Sequence, residues 1–548
     1  MGLLAHHVPT ELITEDIVKD NYFVLSSRLE PDSFKDFFFG IGYGEDFIIS
    51  GKPGFDKYKH ENKNDSVRSL LIDGNFLIGE NFENCFYINT DPIGGGTIFL
   101  WEKDSNWILS NSLLILCREM ELMGYTPEIY PPALAVYSIS KGGRDYGQIV
   151  SKRTAVKDAI LLPSNEYIKI DFFNNKPEIT VVKYFEKNIQ NRSADNYKKE
   201  LINFITQWRN IFNTFKHENE KVSISLSGGK DSRAALALLI SGFGTGFYGY
   251  TFQNGSEDQK IATDILKEKN EPMKDEPTWF ASGANLSSSE AYAMNLFRNA
   301  GVKRSVSFGG SVSSRQYLKV SGACAIDPVT MRGSMEFRIN KIPQNEQMKN
   351  QKIKQWAFEE YLSAYDSSDL KVTDKNSKIH HYCDYRSRLH YGNVGFSNMD
   401  TSIMPLFSWG FLKVAMSAPT YKYLLGNRLN YDIINICCPD LMSYPFTGDL
   451  PEGGLISDDI SAHSLQEPVV LNYYGSDKKS SKASYARVNG PKEKDLVKEI
   501  LPLAISRFGS LFEDSFIRSA EYEVNNVDKS SEWKHARFIC DLMYLFPN

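Results

Sequence analysis

The stretch SISLSGGKDSR, residues 223–233, decides how the rest of the chain is read. An apolar, strand-like run ends at Leu226, a Ser-Gly-Gly turn follows, and Asp231 and Ser232 open a helix. Glycine is wanted at 228 and 229 because a side chain there would block close approach of an anion to the backbone. The N–H groups of the turn and of the helix start, aided by the helix dipole, then form an anion site. Ser227 and Ser232 add hydroxyl donors and Lys230 adds charge. Asp231 cannot serve an anion directly, so its carboxylate is read as a magnesium ligand. The spacing is not GxxxxGK[ST], which excludes a Walker A loop.

Outward from this loop, strand-like KVSISL (221–226), helix-like DSRAALALLIS (231–241), strand-like FYGYTF (247–252) and helix-like EDQKIATDILKEKN (257–270) alternate. Such alternation predicts a parallel sheet with crossover helices. Ligands sit at the carboxyl ends of parallel strands, which draws Leu226, Thr251 and Phe252 to the same edge as the loop, although a plain buried strand explains the last two equally well. Just upstream, YKKELINFITQWRNIFNTFK (197–216) carries apolar residues at helical spacing and predicts an amphipathic helix of about five turns. The first third reads differently. SLLIDGNFLIGENF (69–82), CFYINT (85–90), GTIFLWEK (96–103) and NEYIKIDFF (165–173) are β-branched and aromatic runs punctuated by DG, DP and GGG turns, with a helical patch near 109–122. From about residue 350 the pattern is mostly helical, and the Ser/Lys-rich stretch 475–495 reads as a loop.

The whole chain has 548 residues, 42% hydrophobic and 24% charged, a composition that excludes fibrous and wholly disordered classes and spans roughly two to four domains. A formal net charge of −6 without a basic stripe argues against a general grip on nucleic acid. The seven cysteines are scattered, with no CxxC pair, and fit a reduced compartment. No run reaches the 18 or so apolar residues of a membrane span, and the first twenty residues lack a basic n-region, so the expectation is a soluble, cytoplasmic protein without a membrane partner. His6-His7 and His380-His381 are adjacent pairs whose side chains diverge, which makes them poor metal pairs.

SGGxDS after a strand resembles the PP-loop ATP pyrophosphatases. With that motif at residue 227 behind a β-rich domain, the chain resembles the asparagine synthetase superfamily over most of its length. LLIDGNF (70–76), YINTDPIGGGTIFL (87–100), NWILSNSLLIL (106–116) and TAVKDAILLPSNEYIKID (154–171) are similar to that family's recurrent strands, DPxG turn and later segment. The resemblance implies two domains. Residues 1–190 would be an α+β, Ntn-type class II amidotransferase-like β-sandwich domain, and 191–548 an α/β PP-loop parallel-sheet domain with a helical C-terminal extension.

The same resemblance implies ATP and Mg²⁺ as cofactors, with ATP held by Leu226, Ser227, Gly228, Gly229, Lys230, Asp231 and Ser232 and adenine beside Thr251 and Phe252. Glutamine-hydrolysing members carry a cysteine at position 2, where this chain has Gly2. That departure resembles the relatives without the nucleophile, namely β-lactam synthetase, carbapenam synthetase and the lasso-peptide cyclases. The implied activity is an AMP-forming carbon–nitrogen ligase or cyclase that adenylates a small-molecule or peptide carboxylate for attack by an amine in specialised-metabolite biosynthesis, in company with a biosynthetic partner protein. Ammonia-dependent amidation and a degenerate scaffold are the alternatives.

Other family features are altered. The second metal motif is represented by Asp327 in SGACAID (321–327) or by Gly333 and Glu336 in RGSMEFR (332–338), the latter resembling a GGExxR variant and preferred as metal and catalytic position. Ser256-Glu257-Asp258 resembles the acidic start of the family's next helix, or serves only that helix's dipole. Pro405-Leu406-Phe407-Ser408 has serine where asparagine synthetases have aspartate. Arg386 and Arg388 face either the site or solvent. The charge-stabilising lysine of the bond-forming step falls to Lys478, Lys479 or Lys482, with Lys479 taken as the catalytic candidate.

Overall fold

A computed structural model of the chain describes residues 22–139, 147–173, 176–183, 192–251, 255–274, 296–304, 317–323, 334–346, 348–366, 371–374, 377–390, 392, 399–420, 428–447, 465–475, 491–527 and 533–547. Its strands are β1 (Val24–Ser26), β2 (Phe37–Tyr43), β3 (Phe47–Ser50), β4 (Asp73–Phe82), β5 (Cys85–Thr90), β6 (Phe99–Lys103), β7 (Asn106–Ser110) and β8 (Ala159–Leu161). They continue with β9 (Glu166–Phe173), β10 (Lys176–Lys183), β11 (Val222–Ser225), β12 (Tyr248–Tyr250), β13 (Leu318–Ser321), β14 (Ser402–Ile403) and β15 (Asn472–Tyr474). The longer described helices are α1 (Gly51–Glu61), α2 (Leu113–Leu122), α3 (Ala194–His217), α4 (Lys230–Phe243), α5 (Glu257–Glu268) and α6 (Gln351–Ser363). After them come α7 (Trp409–Ser417), α8 (Arg428–Cys437), α9 (Pro491–Phe508), α10 (Asp514–Asn526) and α11 (Lys534–Leu545).

β3 and most of β4 are buried on both faces, whereas β5 alternates over its first four residues. In β5, Phe86 and Ile88 are buried while Cys85 and Tyr87 stay partly open. Strands in the order β1-β7-β6-β8 form one antiparallel sheet, and β10-β9-β5-β4-β2-β3-β15 form a second. Their facing sides enclose Leu77, Phe86, Ile88, Leu100, Leu109 and Ile168. On the outer face of the larger sheet, Phe55 and Tyr58 of α1 pack with Phe38, Phe76 and Ile78. On the outer face of the smaller sheet, Phe99, Trp101 and Ile108 join α2 and residues of α6, α9, α10 and α11 in one core.

A third sheet has the order β12-β11-β13-β14 and is parallel throughout. The chain leaves β11 first to one side and then to the other, so the strand order reverses at β11, and the loop after it opens at the carboxyl edge. Helix α4 behind this loop is buried from Ser232 to Leu239. It packs against α3 and α8, and Gly242 admits α3 because a Cβ there would stand 2.6 Å from the Arg209 carbonyl oxygen. Helix α3 presents Leu201, Phe204, Ile205, Trp208, Ile211, Phe212 and Phe215 to this core, the face its spacing predicts.

The change of architecture near residue 190 is not a spatial separation. β15 runs parallel to β3 and so extends a sheet made by the first part of the chain. Tyr43 of β2 meets Trp208 of α3 edge to face at 5.4 Å. Asp73 of β4 accepts hydrogen bonds from Trp409 N (2.8 Å) and Gly410 N (2.9 Å), the first orphan donors of α7, and burial pushes its pKa up. Arg386 and Arg388 are both buried rather than solvated. Arg388 donates to Leu162 O and Asp384 O, each at 3.0 Å, and burial lowers its pKa to about 10. His381 is buried with Nε2 2.6 Å from Val150 O, and its pKa is pushed down to about 3 by burial, which keeps it neutral. Of the stretch 475–495, residues 476–490 lie outside the described residues, and α9 already begins at Pro491. No described helix is long and apolar enough to cross a membrane.

Asp91 organises the DPIGG turn after β5. Its carboxylate accepts from Gly95 N at 2.7 Å, Ile93 N at 3.1 Å and Phe76 N at 3.3 Å, yet burial outweighs these bonds and raises its pKa from 3.8 to about 6. A folded-state value above the unfolded one means that the native chain holds an extra proton between them. Asp91 therefore supports stability below pH 4 or so, and that support is lost as pH rises through about 6. Chemical denaturation across this window should show a smaller decline for Asp91→Asn than for the wild type; parallel profiles would assign the pH dependence to other groups.

Candidate functional site

β11 ends at Ser225, and Leu226 is buried with its N–H donating to Tyr250 O at 2.9 Å, so the loop starts locked to the end of β12. Thr251 therefore sits beside the root of the loop, also buried. The loop closes on itself through its two serines. Ser227 and Ser232 hydroxyls lie 3.0 Å apart, Ser227 N donates to Ser232 Oγ at 3.1 Å, and Gly229 N donates to Ser227 Oγ at 3.2 Å. Gly229 is the N-cap of α4, extended at φ −77 and ψ 157, and makes no side-chain cap bond. The N–H groups of the following first turn have no acceptor within the helix, and the dipole adds partial positive charge.

The two glycines do different work. A Cβ on Gly228 would stand 2.7 Å from Thr447 Cγ2, 2.8 Å from Asp258 Oδ1 and 2.9 Å from Ile261 Cδ1, so three side-chain tips would have to shift to admit it. A Cβ on Gly229 would find only Ser227 Oγ at 3.2 Å and Thr447 Oγ1 at 4.0 Å among the described residues, a less crowded position. A third glycine, Gly322 just past β13, has no room at all, since its Cβ would stand 2.4 Å from Ser232 N.

Three partners of the loop come from elsewhere in the chain. Asp258, in the first turn of α5, accepts the Gly228 N–H at 2.8 Å, while Ser256 caps that helix by accepting from Gln259 N at 3.2 Å. The acidic start of α5 thus holds the loop as well as complementing its own helix. Thr447 N donates to Gly228 O at 3.3 Å, and its exposed side chain lies beside the loop. Asn430 of α8 hydrogen-bonds through Nδ2 to Asp231 Oδ1. Arg233 reaches from α4 to the 441–445 carbonyls. Neither Thr447 nor Asn430 stands out in the sequence, because each acts through a contact about 200 residues distant.

Asp231 heads α4 with its side chain 41% exposed, and Lys230 Nζ stands 3.8 Å from its Oδ1. Glu336 lies exposed on the short helix Met335–Ile339, whose Met335 and Ile339 join the core of α6 and the C-terminal helices. Among the described residues no group of three or more His, Cys, Asp and Glu is arranged to hold a metal ion. Ser408, the last residue of the Pro405–Ser408 stretch, caps α7 by accepting from Phe411 N at 3.1 Å. Phe252, Asp327, Gly333, Lys478, Lys479 and Lys482 lie outside the described residues.

The unequal surroundings of the two glycines separate packing from ligand access. Gly228→Ala should destabilise the fold by about 1–3 kcal/mol as its neighbours give way. Gly229→Ala should leave stability within about 0.5 kcal/mol while reducing pyrophosphate affinity about tenfold or more. Thermal unfolding and calorimetric titration measure the two effects, and equal losses of stability would contradict the unequal crowding of the two glycines. No protein-family model matches the chain, and no curated protein matches it.

Proposed function

We propose that the chain is an ATP- and Mg²⁺-dependent ligase that joins a carboxylate to an amine, releasing AMP and pyrophosphate. The observation that carries this reading is the serine-closed Ser227–Ser232 loop at the carboxyl end of β11, where the strand order of a parallel sheet reverses. In this reading the first-turn N–H groups of α4, the hydroxyls of Ser227 and Ser232 and the Lys230 ammonium take the phosphate chain. Leu226 contributes only its backbone, and Thr251 lines the adenine side.

The donor set fits magnesium brought in on the nucleotide. Mg²⁺ commonly takes one or two carboxylates and completes its shell with phosphate oxygens and water, and Asp231 offers one half-open carboxylate beside the phosphate path. Asn430 orients that carboxylate through its Oδ1. The ion would supply charge neutralisation at the phosphates; the residues of the chain hold the α-phosphate in line with an incoming carboxylate, by position and electrostatics. An amine of the same or another substrate then displaces AMP from the activated acid. The substrate acid and amine, or ammonia, belong to small-molecule or peptide chemistry, with no nucleic acid involved. The setting proposed is the biosynthesis of a specialised metabolite or modified peptide in the cytoplasm.

The alternative is a non-catalytic relative. ATP–pyrophosphate exchange over a panel of carboxylates decides between them. Exchange that depends on one acid and falls about a hundredfold or more in Asp231→Ala is the expected result. Exchange with none of them, together with no ATP binding by calorimetry, would leave the scaffold.

A further inference from the structure

Arg233 is fully buried one turn into α4. Its Nη1 donates to Leu441 O at 3.2 Å and Tyr444 O at 3.0 Å, and its Nη2 to Gly228 O at 3.2 Å and Pro445 O at 2.6 Å. The guanidinium lies over the Phe446 ring, 3.7 Å from its centroid. All of these partners are neutral. Among the described residues Nε has no partner, and no carboxylate pairs with the side chain. A buried charge with hydrogen bonds but no counter-charge is costly to keep, and burial lowers its pKa to about 10 while leaving it ionised at neutral pH.

The contact with Gly228 O gives the charge a direction. In a trans peptide the C=O and the following N–H point to opposite sides. Arg233 Nη2 and Thr447 N both hold the Gly228 carbonyl, so the Gly229 N–H is turned the other way, toward Ser227 Oγ. The same fork ties the 441–446 segment to the loop through three carbonyls and one ring face.

We infer that Arg233 is a positioning residue of the anion site, a buried cation whose counter-charge is the phosphate chain taken up by the loop and whose fork orders residues 439–447 together with that anion. The inference rests on reading Ser227–Ser232 as a phosphate loop. It goes beyond that reading by making the buried arginine, and the segment it holds, part of recognition.

The test uses the full chain as wild type, Arg233→Lys and Arg233→Met, with inorganic pyrophosphate as the probe. Affinity is read by calorimetry, and hydrogen exchange at 439–447 is followed with and without saturating pyrophosphate. Pyrophosphate should slow exchange at 439–447 in the wild type. Its affinity should fall about tenfold or more in Arg233→Met and less in Arg233→Lys, which keeps the charge but loses the fork. Pyrophosphate binding without slowed exchange at 439–447, equal affinity in wild type and Arg233→Met, or equal losses in the two variants would overturn the role while leaving the phosphate loop standing. If Arg233→Met does not fold, the wild-type exchange result and the Arg233→Lys affinity decide. A wild type that binds neither pyrophosphate nor ATP would instead remove the phosphate-loop reading on which the inference depends.

Discussion

Backbone-to-backbone contact at the head of α4 is the constraint on which the rest of this architecture depends. Gly322, one residue past β13, lies against the N and Cα of Ser232, closer than any side chain would allow. Gly228 is hemmed in by Thr447, Asp258 and Ile261. These contacts bring the carboxyl end of β13, the start of α5 and the 441–447 segment onto one short loop. A helix N-terminus alone is a common feature of proteins; a helix N-terminus met by three other segments is a shaped site.

Polar groups rather than apolar ones fix that shape. Within the loop, the Ser227–Ser232 pair satisfies the tight turn, and Asp258 and Thr447 take the N–H and C=O of Gly228. The apolar contribution is one layer further out, where α4 is buried from Ser232 to Leu239 between α3, α8 and the parallel sheet. The helix cannot shift without breaking that packing, so the loop inherits its rigidity from the core. Burial of Arg233 belongs to the same arrangement, because its guanidinium fills the space between α4 and the 441–446 carbonyls.

Three chain returns keep the β-rich first part and the parallel-sheet part in one structure. Asp73 caps α7, Arg388 reaches the carbonyl of Leu162, and β15 adds a parallel strand to an otherwise antiparallel sheet. Each joins residues more than 200 positions apart, so the loop-closure entropy of each is offset only when the others are already formed. Cooperative unfolding across both parts is the physical consequence of this interleaving.

Local pattern was enough for much of this. The alternation in 221–270 predicts a parallel sheet, and the apolar spacing in 197–216 predicts α3 with its buried face, because period and turn chemistry are properties of neighbouring residues. The glycines at 228 and 229 and the serines at 227 and 232 mark the loop for the same reason. What the pattern could not contain is which distant groups meet there. Asn430 on Asp231, Thr447 on Gly228 and the burial of Arg233 and Arg388 all follow from how far-apart segments pack. Sequence determined the strand, the turn and the helix, since these depend on contacts a few residues apart; only tertiary packing decided the charge, reach and company of the side chains around them.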